Sequence, residues 1–278
     1  MSDAENSLLP VSVSEQLRRA DSDRFLSALF APAEVRPHLL ALYALDVELK
    51  RIPTLVSEPM LGAIRFQWWR DTIGSIYQGD HPGHELVPAL SAAIEAGRLP
   101  AEGFHHWLDA REDEMNEFPF ADLAAMEAHA KRSDGTIMNM ATRLLGASDD
   151  TDILAPFATA YGLIDLLKRC GLAAGHQSAF LPVDKIEAQT QALFSGRLTP
   201  EVTSTFAAVA NHAKQSIGTA RKTKVPTGFV PAGLYAGLVP SYARLFTRLD
   251  FDPLRTSPEV PAYRRQIALM ARAMRGRI

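Results

Sequence analysis

An all-α fold is predicted by three features of this sequence. Apolar residues recur at three- and four-residue spacing over most of its length, prolines fall where helix first turns tolerate them, and no stretch alternates as a strand or reads as a βαβ unit.

Taken in order, Arg18 to Phe30 places Phe25, Leu26, Leu29 and Phe30 on one face of a helix. Pro32 opens a second helix to about Ile52, carrying Val35, Leu39, Leu42, Tyr43 and Val47 at helical spacing, and Pro53 is expected to end it. Ser57 reads as an N-cap with Pro59 in the first turn, and the helix that follows shows an apolar stripe of Leu61, Ile64, Trp68, Trp69 and Ile76 beside Arg65, Arg70 and Asp71. Gly79 to Gly83 breaks the chain. Helices are expected over 84–96 and 101–116, the second of them acidic, with Asp109, Glu112, Asp113, Glu114 and Glu117.

Phe118-Pro119 and Asp134-Gly135 punctuate two further helices, and the segment from Ser148 to Thr151 caps a long one running through Tyr161 and Arg169 to Gly171 or Gly175. A polar loop then leads to a Phe180-Leu181-Pro182 step. Pro200 opens a helix to about Lys222, Pro231 another to about Leu249, and Pro258 or Pro261 the last. About ten to twelve helices with ordinary connections fit one domain over residues 1–278, of which about the first 15 residues are expected to be flexible.

Composition narrows the function classes. With 47% apolar and 22% charged residues the chain is that of a globular protein. A formal net charge of -3 supplies no broad basic field, which argues against a nucleic-acid partner. The one cysteine, Cys170, can form neither an internal disulfide nor a thiolate metal site alone and reads as a small buried hydrophobe, and the acidic start without a signal-like segment gives a cytoplasmic expectation. Spanning a bilayer takes roughly 20 consecutive apolar residues, and the longest run is about Leu39 to Leu45.

Several groups could carry chemistry. Asp109 and Asp113, four apart, share a helix face and could grip a hard cation, although two carboxylates make a thin site and charged faces are usually solvated. Lys50-Arg51 and Lys168-Arg169 lie near two helix ends, where cations complement the dipole; the sharper reading has them converge on an anion such as a diphosphate. His105 and His106 are adjacent and point to different sides of a helix, and His176 is read as an exposed loop histidine. From Arg244 onward eight arginines stand against three acids, so the terminal helix, with Ile267, Met270 and Met274, could rest on an anionic membrane surface or dock on the core.

The order of these pieces resembles the squalene/phytoene synthase family over nearly the whole chain: Leu42-Tyr43-Ala44, Trp69-Arg70, the acidic helix with Asp113, the central helix 155–170 and the Phe180-Leu181-Pro182 step. That resemblance implies an isoprenoid-synthase-like helical bundle with a central cavity and, in an active member, Mg²⁺ held by two aspartate-rich motifs to ionise prenyl diphosphates. Here the first motif falls on Lys50, Arg51 and Thr54, and the second on Asp165, Lys168, Arg169 and Ala173.

The erosion resembles the branch of the mitochondrial complex I assembly factor with a phytoene-synthase-like domain and its bacterial relatives, on Asp46-Val47-Glu48-Leu49, Gln67-Trp68-Trp69 and Gly162-Leu163-Ile164. It implies an assembly role with complex I subunits or intermediates, no cofactor, and a place peripheral to the inner membrane. Two alternatives stay open. One is a Mg²⁺-dependent prenyltransferase whose site is rebuilt from Tyr43, Asp46, Glu48, Asp113 and Asp165. The other is an isoprenoid-lipid binder in which Lys50, Arg51, Lys168 and Arg169 meet an anionic head group.

Overall fold

A computed structural model describes residues 9–56, 58–148, 152–248 and 250–278, and these are helical without a strand. Fifteen α-helices follow in order: α1 (Val11–Ala20), α2 (Ser22–Ala28), α3 (Arg36–Leu55), α4 (Pro59–Tyr77), α5 (Val87–Gly97), α6 (Ala101–Asp113), α7 (Leu123–Ala130), α8 (Thr136–Leu144), α9 (Ala155–Gly175), α10 (Val183–Ile186), α11 (Thr190–Phe194), α12 (Pro200–Ala220), α13 (Val230–Gly233), α14 (Val239–Phe246) and α15 (Ala262–Met274).

Two helices are central because they are buried nearly all round rather than along one stripe. In α3 the run Ala41 to Val47 is buried, and in α9 the run Ala160 to Leu167. Helices α1, α2, α4, α5, α6 and α8 pack about α3, while α7, α12 and α14 pack about α9. The ends of α3 and α9 that carry Lys50 and Arg169 converge on one polar cluster.

Several boundaries differ from the sequence expectation for local reasons. Asp21 splits the first predicted helix: its side chain accepts from the Arg24 backbone N–H and so caps α2. Helix α1 starts at Val11, with Val13 buried. Pro32 does not open α3, which begins at Arg36 with Pro37 in its first turn. Pro53 lies in the last turn, and α3 continues past it to Leu55. Ser57 and the residues 149–151 of the expected cap lie outside the described residues.

Helix α6 ends at Asp113, three residues short of the expected 116. Asp134-Gly135 is not a break: Lys131–Gly135 is a π turn joining α7 to α8 without interruption. The stretch from Pro231 is two short helices around a 3₁₀ segment, Leu234–Leu238, rather than one helix to 249. The turn at Pro261, not Pro258, precedes α15.

A polar cluster closes the space between the central helices

The middle of the bundle is charged. Six carboxylates, Asp21, Asp23, Asp46, Glu114, Asp134 and Asp165, are paired there with six cations, Arg24, Lys50, Arg111, Lys168, Arg169 and Arg265. Unpaired charges at such depth would cost several kcal/mol each, so the balance is what makes the arrangement possible.

Asp46 is the hub and is fully buried. One carboxylate oxygen accepts from Trp107 Nε1 at 3.1 Å and Arg111 Nε at 2.9 Å; the other lies 2.7 Å from Lys50 Nζ and also accepts from Arg24. Arg24, itself buried, bridges Asp46 to Asp134, which the π turn delivers from the opposite wall, and Tyr43, Tyr161 and Tyr235 pack around its guanidinium. Lys50 then reaches Asp165 on α9 at 2.9 Å. Asp165 also accepts from Arg169 at 3.0 Å, and Arg169 continues to Glu114 at 2.5 Å. A side branch holds Asp23 with Lys168 at 3.2 Å, Tyr242 Oη at 2.6 Å and Arg265 at 3.3 Å.

The electrostatics follow from this packing. Burial pushes the Asp46 carboxyl up, but Arg111, Lys50 and Arg24 together outweigh it and hold the group well below the usual carboxylate range. Burial likewise opposes ionisation of Asp165, which Lys50 and Arg169 overcome, and of Glu114, which Arg169, Arg111 and the His129 hydrogen bond overcome. Asp21 is the exception, raised because burial exceeds the pull of Arg24.

Of the residues singled out in the sequence, Tyr43, Asp46, Lys50, Asp165, Lys168 and Arg169 are brought together here. Three are not. Glu48 faces outward to Gln16 and Arg51, Arg51 is half exposed on that same pair, and Asp113 lies on the surface against Arg132. Asp109 pairs with Arg70 on the outside, so it does not join Asp113 in a cation grip. The acidic helix instead contributes its neighbour Glu114, one residue further round and buried. Asp21, Asp23, Arg24, Arg111 and Asp134 were also not foreseen; the dense Asp21-Ser-Asp-Arg24 run beside an apolar face was the one local signal.

A cavity of about 300 Å³ opens over the cluster between the ends of α3 and α9. Lys50, Glu114 and Arg169 lie at its polar side, with Val56, Met115, Leu172 and Phe180 as apolar walls. Of the Phe180-Leu181-Pro182 step, Phe180 lines the cavity, 5.0 Å from the Arg169 guanidinium, and Ser178 ties the preceding loop to the Glu114 and Asn116 carbonyls. The donor set does not suit a Mg²⁺ cluster: Asp46 and Asp165 are both already engaged by Lys50, and among the described residues no group of three or more His, Cys, Asp or Glu is placed to hold a metal ion.

Comparison with known proteins agrees with this architecture. The sequence profile of the family described as squalene/phytoene synthase matches residues 17–266. The human NADH dehydrogenase (ubiquinone) complex I, assembly factor 6, is 26% identical over 245 residues, covering 86% of this chain and 74% of its own. The homolog from Dictyostelium discoideum is 20% identical over 252 residues, covering 86% and 70%. Among solved structures, a dehydrosqualene synthase with bound ligand superposes at a TM-score of 0.76, with 12% identity and coverage of 98% and 97%. Squalene synthase HpnC from Alicyclobacillus acidocaldarius superposes at 0.64, with 16% identity and coverage of 97% of each chain. At these identities the superpositions establish an isoprenoid-synthase fold.

Proposed function

The chain belongs to the squalene/phytoene synthase family, and we propose that it is an assembly factor in respiratory complex I biogenesis rather than a Mg²⁺-dependent prenyltransferase. The observation that carries this reading is Lys50. Its ammonium sits between Asp46 and Asp165, at 2.7 and 2.9 Å, in the space where diphosphate ionisation would need divalent cations between carboxylates from two helices. An ammonium there fills the gap between the carboxylates with a single charge, without the charge and coordination by which a divalent metal joins them to a diphosphate. The assembly-factor names of the relatives support the role.

On this reading the protein acts from the cytoplasm, in peripheral contact with the inner membrane. Exposed Tyr263, Ile267, Met270 and Met274 repeat at helical spacing along α15, an outward apolar stripe beside arginines. No helix among the described residues is long and apolar enough to cross a membrane.

Deleting the gene is expected to lower assembled complex I, seen as loss of the intact complex on native gels and of its NADH dehydrogenase activity in membranes. Normal levels of the complex would reject the role. In parallel, pure protein with Mg²⁺ and farnesyl or geranylgeranyl diphosphate is expected to release no pyrophosphate, and release would restore the prenyltransferase reading.

A second reading is favoured by the cavity of about 300 Å³, whose apolar walls and Lys50–Arg169 side could retain an isoprenoid lipid or prenyl diphosphate without turnover. Lys50, Lys168 and Arg169 are committed to internal carboxylates and Arg51 points outward to Glu48, so direct capture of a head group would require breaking pairs. Replacing all four cations by alanine and titrating with farnesyl diphosphate tests it; an affinity equal to that of the unmodified protein rejects it.

A further inference from the structure

A second cavity, of about 610 Å³, lies where the C-terminal ends of α12 and α15 meet the 221–227 loop. Its lining includes Phe157, which stands twelve residues before Arg169 on α9. At the α-helical rise that separation is about 18 Å, so this cavity is distinct from the one that Arg169 lines.

Six cations line it, Arg221, Lys222, Lys224, Arg272, Arg275 and Arg277, and no aspartate or glutamate does. In the central cluster every cation has a carboxylate; here, among the described residues, none of the six forms an ion pair. The nearest compensation is small. Two helix C-termini supply about half a negative charge each, and a terminal carboxylate on Ile278 would offset one more, against six positive charges. Burial, followed by repulsion from Arg221 and Arg275, pushes the Arg272 guanidinium down to about 10, the direction expected when cations crowd without an anion.

The cavity is built rather than incidental. A Cβ on Gly237 would lie 2.5 Å from Arg272 Cδ and 2.7 Å from its Nε, so the glycine leaves the room in which that side chain lies. The Gly237 carbonyl accepts from Arg221 at 3.4 Å. Gly276, at φ +59°, brings the end of α15 against Thr227, where a Cβ would lie 2.8 Å from Thr227 Cγ2. Thr223 and Thr227 add hydroxyls to the lining.

We propose that this cavity is a binding site for a phosphate-bearing anion. Guanidinium groups and hydroxyls suit phosphate oxygens, which accept several charge-assisted hydrogen bonds at once. The same chemistry is presented by anionic phospholipid head groups and by free phosphates. The proposal does not depend on the assembly role, since it concerns a different part of the molecule.

The test uses the full chain and the exposed residues of the site, Lys222→Glu with Lys224→Glu and Arg275→Glu, beside a control carrying the same charge change at Arg18, Arg19 and Lys214. Vesicles of phosphatidylglycerol with phosphatidylcholine and, separately, inorganic pyrophosphate serve as probes, read by co-sedimentation and calorimetry. The unmodified protein and the control are expected to bind at least one probe, and the triple variant to bind it about tenfold or more weakly while keeping its helical circular dichroism. Site-dependent binding to vesicles alone assigns a lipid head group, and binding to pyrophosphate alone assigns a soluble phosphate. No binding of either probe by the unmodified protein, or equal weakening in the control, would overturn the proposal.

If the triple variant misfolds, Lys222→Gln with Lys224→Gln is measured instead. It is expected to weaken binding in the same direction, and unchanged binding overturns the proposal.

Discussion

Lys50 and Asp165, from different central helices, meet at 2.9 Å with the lysine side chain only 11% exposed. Lys50 is also 2.7 Å from Asp46 of its own helix, so one ammonium bridges two buried carboxylates. Replacing it by methionine keeps the volume and removes one cation from each, while Arg24 and Arg111 stay on Asp46 and Arg169 stays on Asp165. Breaking a buried pair costs about 3–5 kcal/mol when the remaining charge is left uncompensated, so with these partners retained the cost here is about 3 kcal/mol or less. The urea midpoint of Lys50→Met is expected to fall accordingly, and adding Asp165→Asn is expected to recover part of the loss. A midpoint unchanged in the single variant would show that the pair carries no stability.

The same position tests the relation to metal chemistry. Lys50→Asp adds a third carboxylate beside Asp46 and Asp165 and removes the cation that balanced them. The variant is expected to melt lower than the parent in chelator and to recover with Mg²⁺, whereas the parent's melting temperature does not respond to Mg²⁺. Recovery in both proteins would mean that the parent binds the ion too.

Acid sensitivity follows from the carboxylates. Asp23, Asp46, Glu114 and Asp165 are all held below their ordinary values, because the cations around them outweigh burial. A depressed group contributes stability that is present above its unfolded value of about 4 and is lost as the pH falls toward its folded value. Unfolding free energy is therefore expected to be flat above about pH 5 and to drop steeply below about 4. Asp21, raised by burial, works the other way and softens the slope. A flat profile down to pH 3 would contradict the network.

Cys170 offers an alkaline counterpart. It is fully buried, and burial pushes its thiol up to about 12, only partly offset by a backbone hydrogen bond from Phe180. A raised group contributes stability that is present below its unfolded value of about 8.5 and is lost as pH rises from there toward its folded value. At pH 8 an aromatic disulfide reagent is expected to label the native protein only at the rate of unfolding, and in a single rapid phase in denaturant. Rapid native labelling would place the thiol at the surface.

Much of the frame was legible because long amphipathic helices write themselves locally. Helix α4 starts at Pro59 and α12 at Pro200, as their prolines indicate, and α9 runs to Gly175, the later of the two glycines that could end it. The centre was legible only in part, since its pairs join residues far apart, as Arg24 to Asp134 and Lys168 to Asp23 do. Charged residues are ordinarily exposed, so nothing local marks Arg111 as buried. Asp113 and Glu114 differ by one residue of helix phase, and that phase decides which of them enters the core. Asp134-Gly135 has the composition of a turn, yet the π turn spends the extra residue on keeping Ser133 and Asp134 inward.

Gly162 shows how tightly that π turn is seated. A Cβ on Gly162 would lie 2.6 Å from Ala130 Cβ, 3.1 Å from Ala130 Cα and 3.0 Å from Asp134 Oδ2, at the contact between α9 and the start of the turn. Alanine would favour the helix by up to about 1 kcal/mol, but Ala130 Cα and Cβ are fixed to the backbone and Asp134 is held by Arg24, so the backbones must part. Overpacking of this kind typically costs about 1–3 kcal/mol and exceeds the propensity gain. Gly162→Ala is therefore expected to be net destabilising in urea. Because Asp134 is displaced from Arg24, the loss is also expected to shrink when Asp134→Asn is added. Gly74 gives the control: a Cβ there meets nothing within 4 Å, so Gly74→Ala is expected to raise the midpoint through helix propensity alone. If both alanines stabilised the protein, the close approach of α9 to the π turn would be wrong.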